Sequence, residues 1–230
     1  LQCIDVYDKF EDICKLNIRR IESLRPIKEM GVATEIVSSD ARRITETYGG
    51  YKERADESVD LILTSPPYAG AQKYIRSSWL NLYWLGEKLP EEIRKLNNMN
   101  IGREDYHKSE INQHIQTGIA AADAVLESLY AEGKKERAYI VGNYLNEMKV
   151  ALDESIRVLK KGGYMVIVIG NNTVCNQPFD TQDYFTTYLK SKGMKLQFKL
   201  IDDIKSYGLM TKRNKTASTI SCEWVLVFKK

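Results

Sequence analysis

The sequence predicts an α/β protein built on a mainly parallel sheet. Two runs of apolar, largely β-branched residues, Val59–Thr64 and residues 164–169, have the composition of strands buried on both faces. Longer stretches with apolar residues at helical spacing lie between such runs, as expected where helices connect parallel strands. The chain has 230 residues, enough for a full core, so we expect residues 1–230 to form a single domain.

Short apolar runs bounded by turn residues predict the strands of this sheet. They are residues 1–4, 34–37, 59–64, 164–169, 196–201 and 224–228. Because helices separate most of them, we expect the sheet to be mainly parallel, with its last strand antiparallel.

Apolar residues at helical spacing predict the helices. The first covers residues 10–24 and ends near Pro26, because proline cannot continue a helix. An amphipathic helix is predicted over residues 139–160, with Gly162 and Gly163 as its C-terminal cap. A shorter helix is predicted over residues 185–192, and residues 73–138 are expected to be a mainly helical insertion.

The composition bounds the class of protein. No apolar run approaches the roughly 20 residues of a membrane-spanning helix, and residues 1–5 lack the features of a signal peptide. The four cysteines form no CxxC pair, and neither histidine has a cysteine near it in sequence, so we expect no metal site and no disulfide framework. These features favour reduced thiols in a cytoplasmic protein.

The charge is unevenly distributed along the chain. The formal net charge is +3, but residues 190–230 hold ten Lys or Arg and only three acidic residues. Such a basic end on a near-neutral body indicates either a polyanionic partner or a solvated, lysine-rich surface.

The strongest chemical signal is Ser65-Pro66-Pro67-Tyr68, here called the SPPY loop, which directly follows a predicted strand. Open α/β sheets bind their ligands at the carboxyl ends of the strands. Consecutive prolines fix the backbone and remove two N–H donors, which leaves rigid carbonyl acceptors. The Ser65 side chain and the Pro66 carbonyl could therefore hold the two hydrogens of an exocyclic amine, while Tyr68 offers a face for stacking.

An amine held by two acceptors can react directly with a methyl donor. The amino nitrogen of cytosine or adenine is a poor nucleophile because its lone pair is delocalised into the ring. Two acceptors favour a pyramidal nitrogen and direct its lone pair, so a covalent intermediate is not needed. A base within a duplex would have to leave the stack to reach such a site.

Residues 59–68, VDLILTSPPY, resemble the strand and catalytic loop of the N4-cytosine and N6-adenine DNA methyltransferases. The resemblance extends to residues 69–86, 101–104, 152–171, 179–193 and 221–229. It implies a class I (Rossmann-like) methyltransferase sheet, S-adenosylmethionine as cofactor, and double-stranded DNA with a flipped base as substrate. Ser before PPY is associated mainly with cytosine N4 as the methylated atom. A restriction–modification role is expected, with residues 73–138 as a DNA-recognition lobe.

The resemblance also suggests residues that bind the cofactor. Asp5, after the first apolar run, would hold the ribose, although an acid in this place could equally be a helix-preceding residue without a ligand. Asp40, followed by Ala41, would lie near the adenine, or else would cap a helix over residues 41–48. Ser65 of the SPPY loop is expected to contact the cofactor as well.

One part of the family pattern is missing, because no glycine-rich turn of the expected kind occurs anywhere in this sequence. In the family pattern that turn follows the first strand, and residues 1–5 resemble the second strand. We therefore expect the first strand of the sheet to be absent or supplied elsewhere. The upstream part could have been removed, it could lie on a second polypeptide carrying the glycine-rich motif, or the chain could be a subunit that binds no cofactor.

Basic and aromatic residues near the SPPY loop are candidate substrate contacts. Lys73, Tyr74 and Arg76 follow the loop and could reach phosphates, or could form an ordinary surface face. Lys212 and Arg213, between the last two strands, are expected to contact DNA. Three aromatic residues at helical spacing are expected in the core, and both histidines at the surface: Trp79, Tyr83, Trp84, His107 and His114.

Two other functions compete with an active DNA methyltransferase. PPY loops also serve RNA and protein-glutamine methyltransferases, but these usually have Asn or Asp at the position of Ser65. The chain could alternatively be a non-catalytic subunit or half of a two-chain enzyme.

Overall fold

The computed structural model describes residues 5–31, 33, 38, 40–44, 54–70, 74–84, 90–111, 113–205 and 220–230. The chain divides into two compact units, Leu1–Ile36 and Val37–Lys230, which are described separately below. The predicted strands over residues 1–4 and 34–37 lie outside the described residues.

The first unit contains two helices, α1 (Val6–Glu22) and α2 (Arg25–Glu29). Helix α1 confirms the predicted first helix and begins four residues earlier. Asp5 caps it, because the carboxylate accepts hydrogen bonds from the backbone N–H groups of Tyr7 at 2.8 Å and Asp8 at 3.3 Å. No residue of α1 is buried.

The described residues of the second unit form a four-stranded sheet and a small hairpin. In chain order the strands are β1 (Val59–Thr64), β2 (Leu159–Ile169), β3 (Asn172–Val174), β4 (Gln177–Phe179), β5 (Lys195–Asp203) and β6 (Cys222–Lys229). The sheet has the order β1-β2-β6-β5, and β3 pairs with β4. Strands β1 and β2 are parallel, whereas β6 is antiparallel to both of its neighbours. The α/β class and the antiparallel last strand are thus confirmed.

In the part of this unit that the structure describes, five helices accompany the sheet: α3 (Tyr74–Trp84), α4 (Pro90–Met99), α5 (Ala120–Ala131), α6 (Lys135–Val158) and α7 (Thr181–Ser191). The first three fall within the predicted helical insertion. None of the described helices is long and apolar enough to cross a membrane.

The core lies on one face of the sheet, between the strands and the helices α5, α6 and α7. Met165 and Ile167 of β2 and Leu226 and Phe228 of β6 are completely buried there. Burial of each such side chain stabilises the fold by about 1.5–3 kcal/mol. This face therefore fixes the position of β1, β2 and the loop that follows β1.

The opposite face of the sheet is exposed. Leu61 and Leu63 of β1 are 57% and 70% exposed, and Phe198 and Leu200 of β5 are 61% and 54% exposed. The strand register places all four on the same face. A large apolar patch of this kind is unusual on a sheet that stands alone.

Gly162 and Gly163 do not cap helix α6, so that prediction is wrong. The helix ends at Val158, and both glycines lie inside β2, where the pairing with β1 shifts in register between Val59 and Leu61. Gly162 has a φ of 80°, which glycine adopts without strain in a bulge as well as in a cap.

Helix α6 runs from the carboxyl edge of β1 back to its amino edge. At the amino edge, the Ser58 N–H donates to the Val158 carbonyl at 2.9 Å. At the carboxyl edge, the Tyr144 hydroxyl donates to the Pro67 carbonyl at 2.7 Å. The first part of this 24-residue helix therefore extends beyond the edge that carries the SPPY loop.

Candidate active site

The SPPY loop leaves β1 at Thr64 and is partly embedded in the protein. Ser65 is exposed, Pro66 is buried, and Tyr68 is half-buried. The backbone N–H of Tyr68 donates to the Tyr74 hydroxyl at 3.4 Å, so helix α3 begins against the loop. The exposed Ser65 hydroxyl faces the carboxyl edge of the sheet, where ligands of α/β proteins bind.

Two further hydrogen bonds hold the backbone of the loop and of the residue that follows it. The hydroxyl of Tyr144, a completely buried residue of α6, donates to the Pro67 carbonyl, and the side-chain amide of Asn172 donates to the Ala69 carbonyl. No donor among the described residues bonds the Pro66 carbonyl. These bonds therefore fix the backbone on both sides of Tyr68, and the ligand-binding role of the Pro66 carbonyl stays a prediction.

The side chain of Tyr68 is held by a carboxylate from a distant strand. Its hydroxyl donates to Glu223 at the start of β6. Burial and the hydrogen bond with Glu223 raise the pKa of Tyr68 well above its usual value, although the nearby Ser65 hydroxyl opposes the rise. Tyr68 therefore stays neutral at physiological pH and presents a fixed ring.

Gly170 makes room for this arrangement. It directly follows β2, and a Cβ atom there would lie 2.9 Å from Ile220 Cγ2 and 3.3 Å from Tyr68 Cε2. A side chain at this position would crowd Ile220 first and would also press on the edge of the Tyr68 ring.

Asp40 lies in a second polar cluster. This cluster contacts α6 at Glu147, about one helical turn after Tyr144. Its carboxylate forms a two-pronged ion pair with Arg42, with contacts of 2.9–3.2 Å. Arg42 also bonds Glu147 at 3.0 Å and the Met99 carbonyl at 2.7 Å. Burial opposes ionisation of Asp40, but hydrogen bonds from Arg42 outweigh it and lower the pKa of this carboxyl.

Helix α6 connects this cluster to the SPPY loop. Tyr144, which holds Pro67, and Glu147, which holds Arg42, are three residues apart and therefore share one helix face. The structure thus connects Asp40, through Arg42, to the helix face that also holds the loop. Its carboxylate oxygens are already bonded by Arg42, and the described residues 41–44 do not form the helix for which Asp40 was the alternative cap.

The other predicted site residues fall into three groups. Asp5 belongs to the first unit and caps α1. Ala41 and Arg76 are exposed, whereas Tyr74 contacts the SPPY loop. The remaining predicted contacts, Lys73, Lys212 and Arg213, lie outside the described residues.

The expectation that Trp79, Tyr83 and Trp84 lie in the core is wrong. They are 55%, 42% and 85% exposed on α3, although the Trp79 and Tyr83 rings lie near each other, with centroids 6.2 Å apart. Helical spacing identifies an apolar face but not what covers it. The surface location of His107 and His114 is confirmed. Among the described residues, no cluster of His, Cys, Asp or Glu could hold a metal ion.

Sequence reasoning did not identify the residues that support the loop: Tyr144, Asn172, Gly170 and Glu223. Glu223 carried a signal, because it is the one acidic residue of a mostly apolar final strand, β6. The fold and the site together define a class of α/β protein in which a rigid proline loop presents acceptors and an aromatic ring at the carboxyl edge of a sheet.

Comparison with known proteins identifies the family. The family model described as DNA methylase (N6_N4_Mtase) matches residues 59–230, about three quarters of the chain. The chain therefore belongs to this family of DNA methylases.

Individual relatives are more distant. Type II methyltransferase M.MvaI of Kocuria varians is 27% identical over 128 residues, which is 54% of this chain and 28% of that protein. A Thermus thermophilus protein, provisionally assigned as a DNA modification methylase, is 17% identical with a TM-score of 0.42 and coverage of 86% of this chain and 54% of that one. Its structure complexed with S-adenosyl-L-methionine is 19% identical, with a TM-score of 0.39 and coverage of 83% and 53%. The chain thus spans little more than half of the solved relative and less of the curated one.

Proposed function

We propose that the chain carries the catalytic loop of an S-adenosylmethionine-dependent DNA methyltransferase that modifies an exocyclic amino group. The observation that supports this most strongly is the state of the SPPY loop. Ser65 is exposed, no described donor bonds the Pro66 carbonyl, and Tyr68 is held beside them by Glu223. Two acceptors beside a fixed aromatic ring suit a flat base that carries an NH2 group.

The residues of the loop would act on the amine in a defined sequence. A flipped base stacks on Tyr68, and its amine donates one hydrogen bond to Ser65 Oγ and one to the Pro66 carbonyl. These bonds favour a pyramidal nitrogen whose lone pair points away from both acceptors. The nitrogen takes the methyl group and then loses one proton, for which Ser65 Oγ provides the first acceptor on the way to solvent.

S-adenosylmethionine, when bound, would supply the electrophilic methyl group and would leave as S-adenosylhomocysteine with the electrons of the broken carbon–sulfur bond. Ser65 fits a position beside it, because the side chain is exposed at the edge where such a cofactor would lie. We keep Asp5, Asp40 and Ala41 as proposed cofactor contacts. A role for the Asp40 carboxylate requires Arg42 to release it, since Arg42 bonds both of its oxygens.

Cytosine N4 is the proposed target atom, because Ser65 stands before the two prolines. Adenine N6 and the amide or amino groups of protein glutamine and RNA are the alternatives that product analysis would separate. Double-stranded DNA is the proposed substrate, with Tyr74, Arg76, Lys73, Lys212 and Arg213 as proposed contacts. A restriction–modification role and a cytoplasmic location belong to the same proposal.

A second candidate function is that of one half of a two-part enzyme. The exposed apolar face formed by β1 and β5 favours it, because Leu63 and Phe198 would be buried by a further layer. That layer could come from a polypeptide that carries the glycine-rich cofactor motif.

Transfer of a labelled methyl group from S-adenosylmethionine to duplex DNA tests the proposal, with and without a glycine-rich segment from a relative. We expect Ser65→Ala and Tyr68→Ala to abolish transfer. Ser58→Ala is the matched control, because among the described residues the Ser58 hydroxyl bonds only the Ala55 carbonyl, at 2.7 Å. Mass spectrometry of the nucleosides should then show N4-methylcytosine. Full activity of Ser65→Ala would contradict the catalytic assignment.

A further inference from the structure

An open, positively charged concavity lies at the turn between α5 and α6. Its volume is about 480 Å³, and it is lined by Lys108, Ile111, Gly133, Lys134, Lys135, Glu136 and Arg137. Four of these side chains are cationic and one is anionic. We refer to this feature as the basic concavity.

The four cations of the basic concavity have no anionic partner among the described residues. Other exposed lysines are neutralised in the same structure, as in the pairs of Lys160 with Asp60 at 2.7 Å and Lys192 with Asp153 at 3.0 Å. The N-terminus of helix α6 adds to the positive field, because the aligned peptide dipoles place partial positive charge there and the N-cap residue, Lys134, is itself a cation. A cluster of unneutralised like charges on one surface attracts an extended polyanion.

The position of the basic concavity relates it to the SPPY loop. Tyr144 holds Pro67 at the carboxyl edge of β1, and Lys134 to Arg137 precede Tyr144 by seven to ten residues on the same helix. At about 1.5 Å per residue, these cations lie about 10–15 Å beyond Tyr144 along the helix axis. They project from the side of the sheet that carries the loop.

A DNA duplex engaged at the loop carries phosphates toward these cations. Duplex DNA has one phosphate charge per about 1.7 Å of its axis, so a duplex whose flipped base reaches Tyr68 presents phosphates continuously on both sides of the loop. Phosphate contacts fix the register of a protein on DNA without reading its sequence. The four long, exposed side chains suit such contacts better than they suit base recognition.

We propose that the basic concavity binds the phosphodiester backbone of the DNA substrate and anchors the duplex beside the SPPY loop. This inference rests on the proposed function and adds a surface to it. It assigns Lys134, Lys135 and Arg137 a sequence-independent role, with Lys108 on the facing wall.

The salt dependence of DNA binding tests the inference. A fluorescent duplex is titrated with the chain in increasing KCl, and wild type is compared with a triple variant, K134Q/K135Q/R137Q. Each lost phosphate contact should lower the slope of log Kd against log salt by about 0.9. We expect the triple variant to lose about 2–3 in slope and to bind roughly tenfold or more weakly at low salt.

The matched control is K161Q/K190Q/K195Q, which removes the same charge from the opposite, amino edge of the sheet. In the strand register, Lys195 of β5 lies opposite Lys229 of β6, which lies opposite Tyr164 near the start of β2. This control should keep the wild-type slope. Equal losses in both triple variants would overturn the inference, because they would show only a general charge effect.

Two further outcomes separate the inference from the proposed function. If wild type binds the duplex and K134Q/K135Q/R137Q binds it with the same slope, the inference fails and the proposed function stands. If wild type binds no duplex at any salt concentration, both fail. Polyglutamate that binds wild type as tightly as the duplex does would also overturn the inference, since the surface would then not distinguish DNA from another polyanion.

Discussion

The Tyr68 hydroxyl donates a hydrogen bond to Glu223 across the end of the strand that separates them in the sheet. Tyr68 follows β1 and Glu223 lies on β6, with β2 between these two strands. Gly170, just after β2, leaves the space over which the tyrosine passes. Glu223 therefore sets the direction of a ring that the proposed reaction uses for stacking.

Replacing either partner should impair methyl transfer without unfolding the protein. Tyr68→Phe keeps the ring but removes its donor, and Glu223→Gln replaces a charged acceptor with a neutral one. Hydrogen bonds to charged groups contribute about 1.5–3 kcal/mol, so we expect kcat to fall roughly 10- to 100-fold for Tyr68→Phe and less for Glu223→Gln. Steady-state kinetics with a saturating duplex would measure kcat and KM separately.

The double variant decides whether the two residues act together. If Glu223 acts through Tyr68, the double variant should be no slower than Tyr68→Phe, because the bond can be lost only once. Asp202→Asn is the control, since Asp202 faces Glu223 across β5 and β6 and its replacement removes the same charge. Independent, multiplicative losses would show that Glu223 does not position the tyrosine.

Local patterns identified the loop but not the residues that hold it. The strand Val59–Thr64 and the two prolines are readable because their structure follows from adjacent residues. Tyr68 and Glu223 are 155 residues apart, and Tyr144 and Pro67 are 77 apart. Contacts at such separations depend on the strand order, which the spacing of apolar residues does not specify.

The incorrect predictions have a similar origin. Trp79 and Trp84 repeat at helical spacing, but this periodicity does not show which helix faces are covered, and α3 leaves both exposed. Gly162 has the backbone conformation expected of a helix cap, with φ of 80°. A strand bulge requires the same conformation, so the glycine alone could not distinguish the two.

The two tyrosines at the loop should make the protein less stable at alkaline pH. Burial raises the pKa of Tyr144 well above its usual value, and burial with Glu223 raises that of Tyr68. In the unfolded chain both ionise near pH 10, whereas in the folded chain they remain neutral. Rising pH therefore favours the unfolded state, and stability that is fully present below about pH 10 is lost above it.

Urea unfolding between about pH 8 and pH 11 would measure this effect. We expect the free energy of unfolding of Tyr144→Phe to fall less steeply above about pH 10 than that of wild type, because one of the groups has been removed. Tyr164→Phe, at a residue that is 40% exposed, serves as the comparison. Equal slopes for wild type and Tyr144→Phe would show that Tyr144 does not contribute to the alkaline loss.

At neutral pH, Tyr144→Phe should destabilise the protein by removing the donor to Pro67. Pro67 is half-buried, so the cost lies toward the lower end of the about 1–3 kcal/mol of a buried acceptor left without its partner, which spans a Tm decrease of roughly 2–12 °C for a domain of this size. Differential scanning calorimetry would measure this decrease in Tm.

Tyr139→Phe is the control on the same helix, because its ring packs edge-on against Tyr106 with centroids 5.0 Å apart, and its hydroxyl bonds no described residue. A Tm unchanged in Tyr144→Phe would contradict the role of this hydrogen bond.

Gly163→Ala should loosen the pairing of β1 with β2 and thereby disturb the SPPY loop. A Cβ atom at this position would lie 2.9 Å from the backbone oxygens of Asp60 and Lys160, and backbone atoms cannot move away as a flexible side chain can. Overpacking of this kind costs about 1–3 kcal/mol, so the urea midpoint should fall. Because β1 leads directly into Ser65, methyl transfer should fall as well.

Lys161→Ala is the matched control, two residues earlier, where the side chain is 85% exposed, and it should change neither quantity. An unchanged midpoint in Gly163→Ala would mean that the bulge can accept a side chain, and that the close approach of β1 and β2 does not fix the loop.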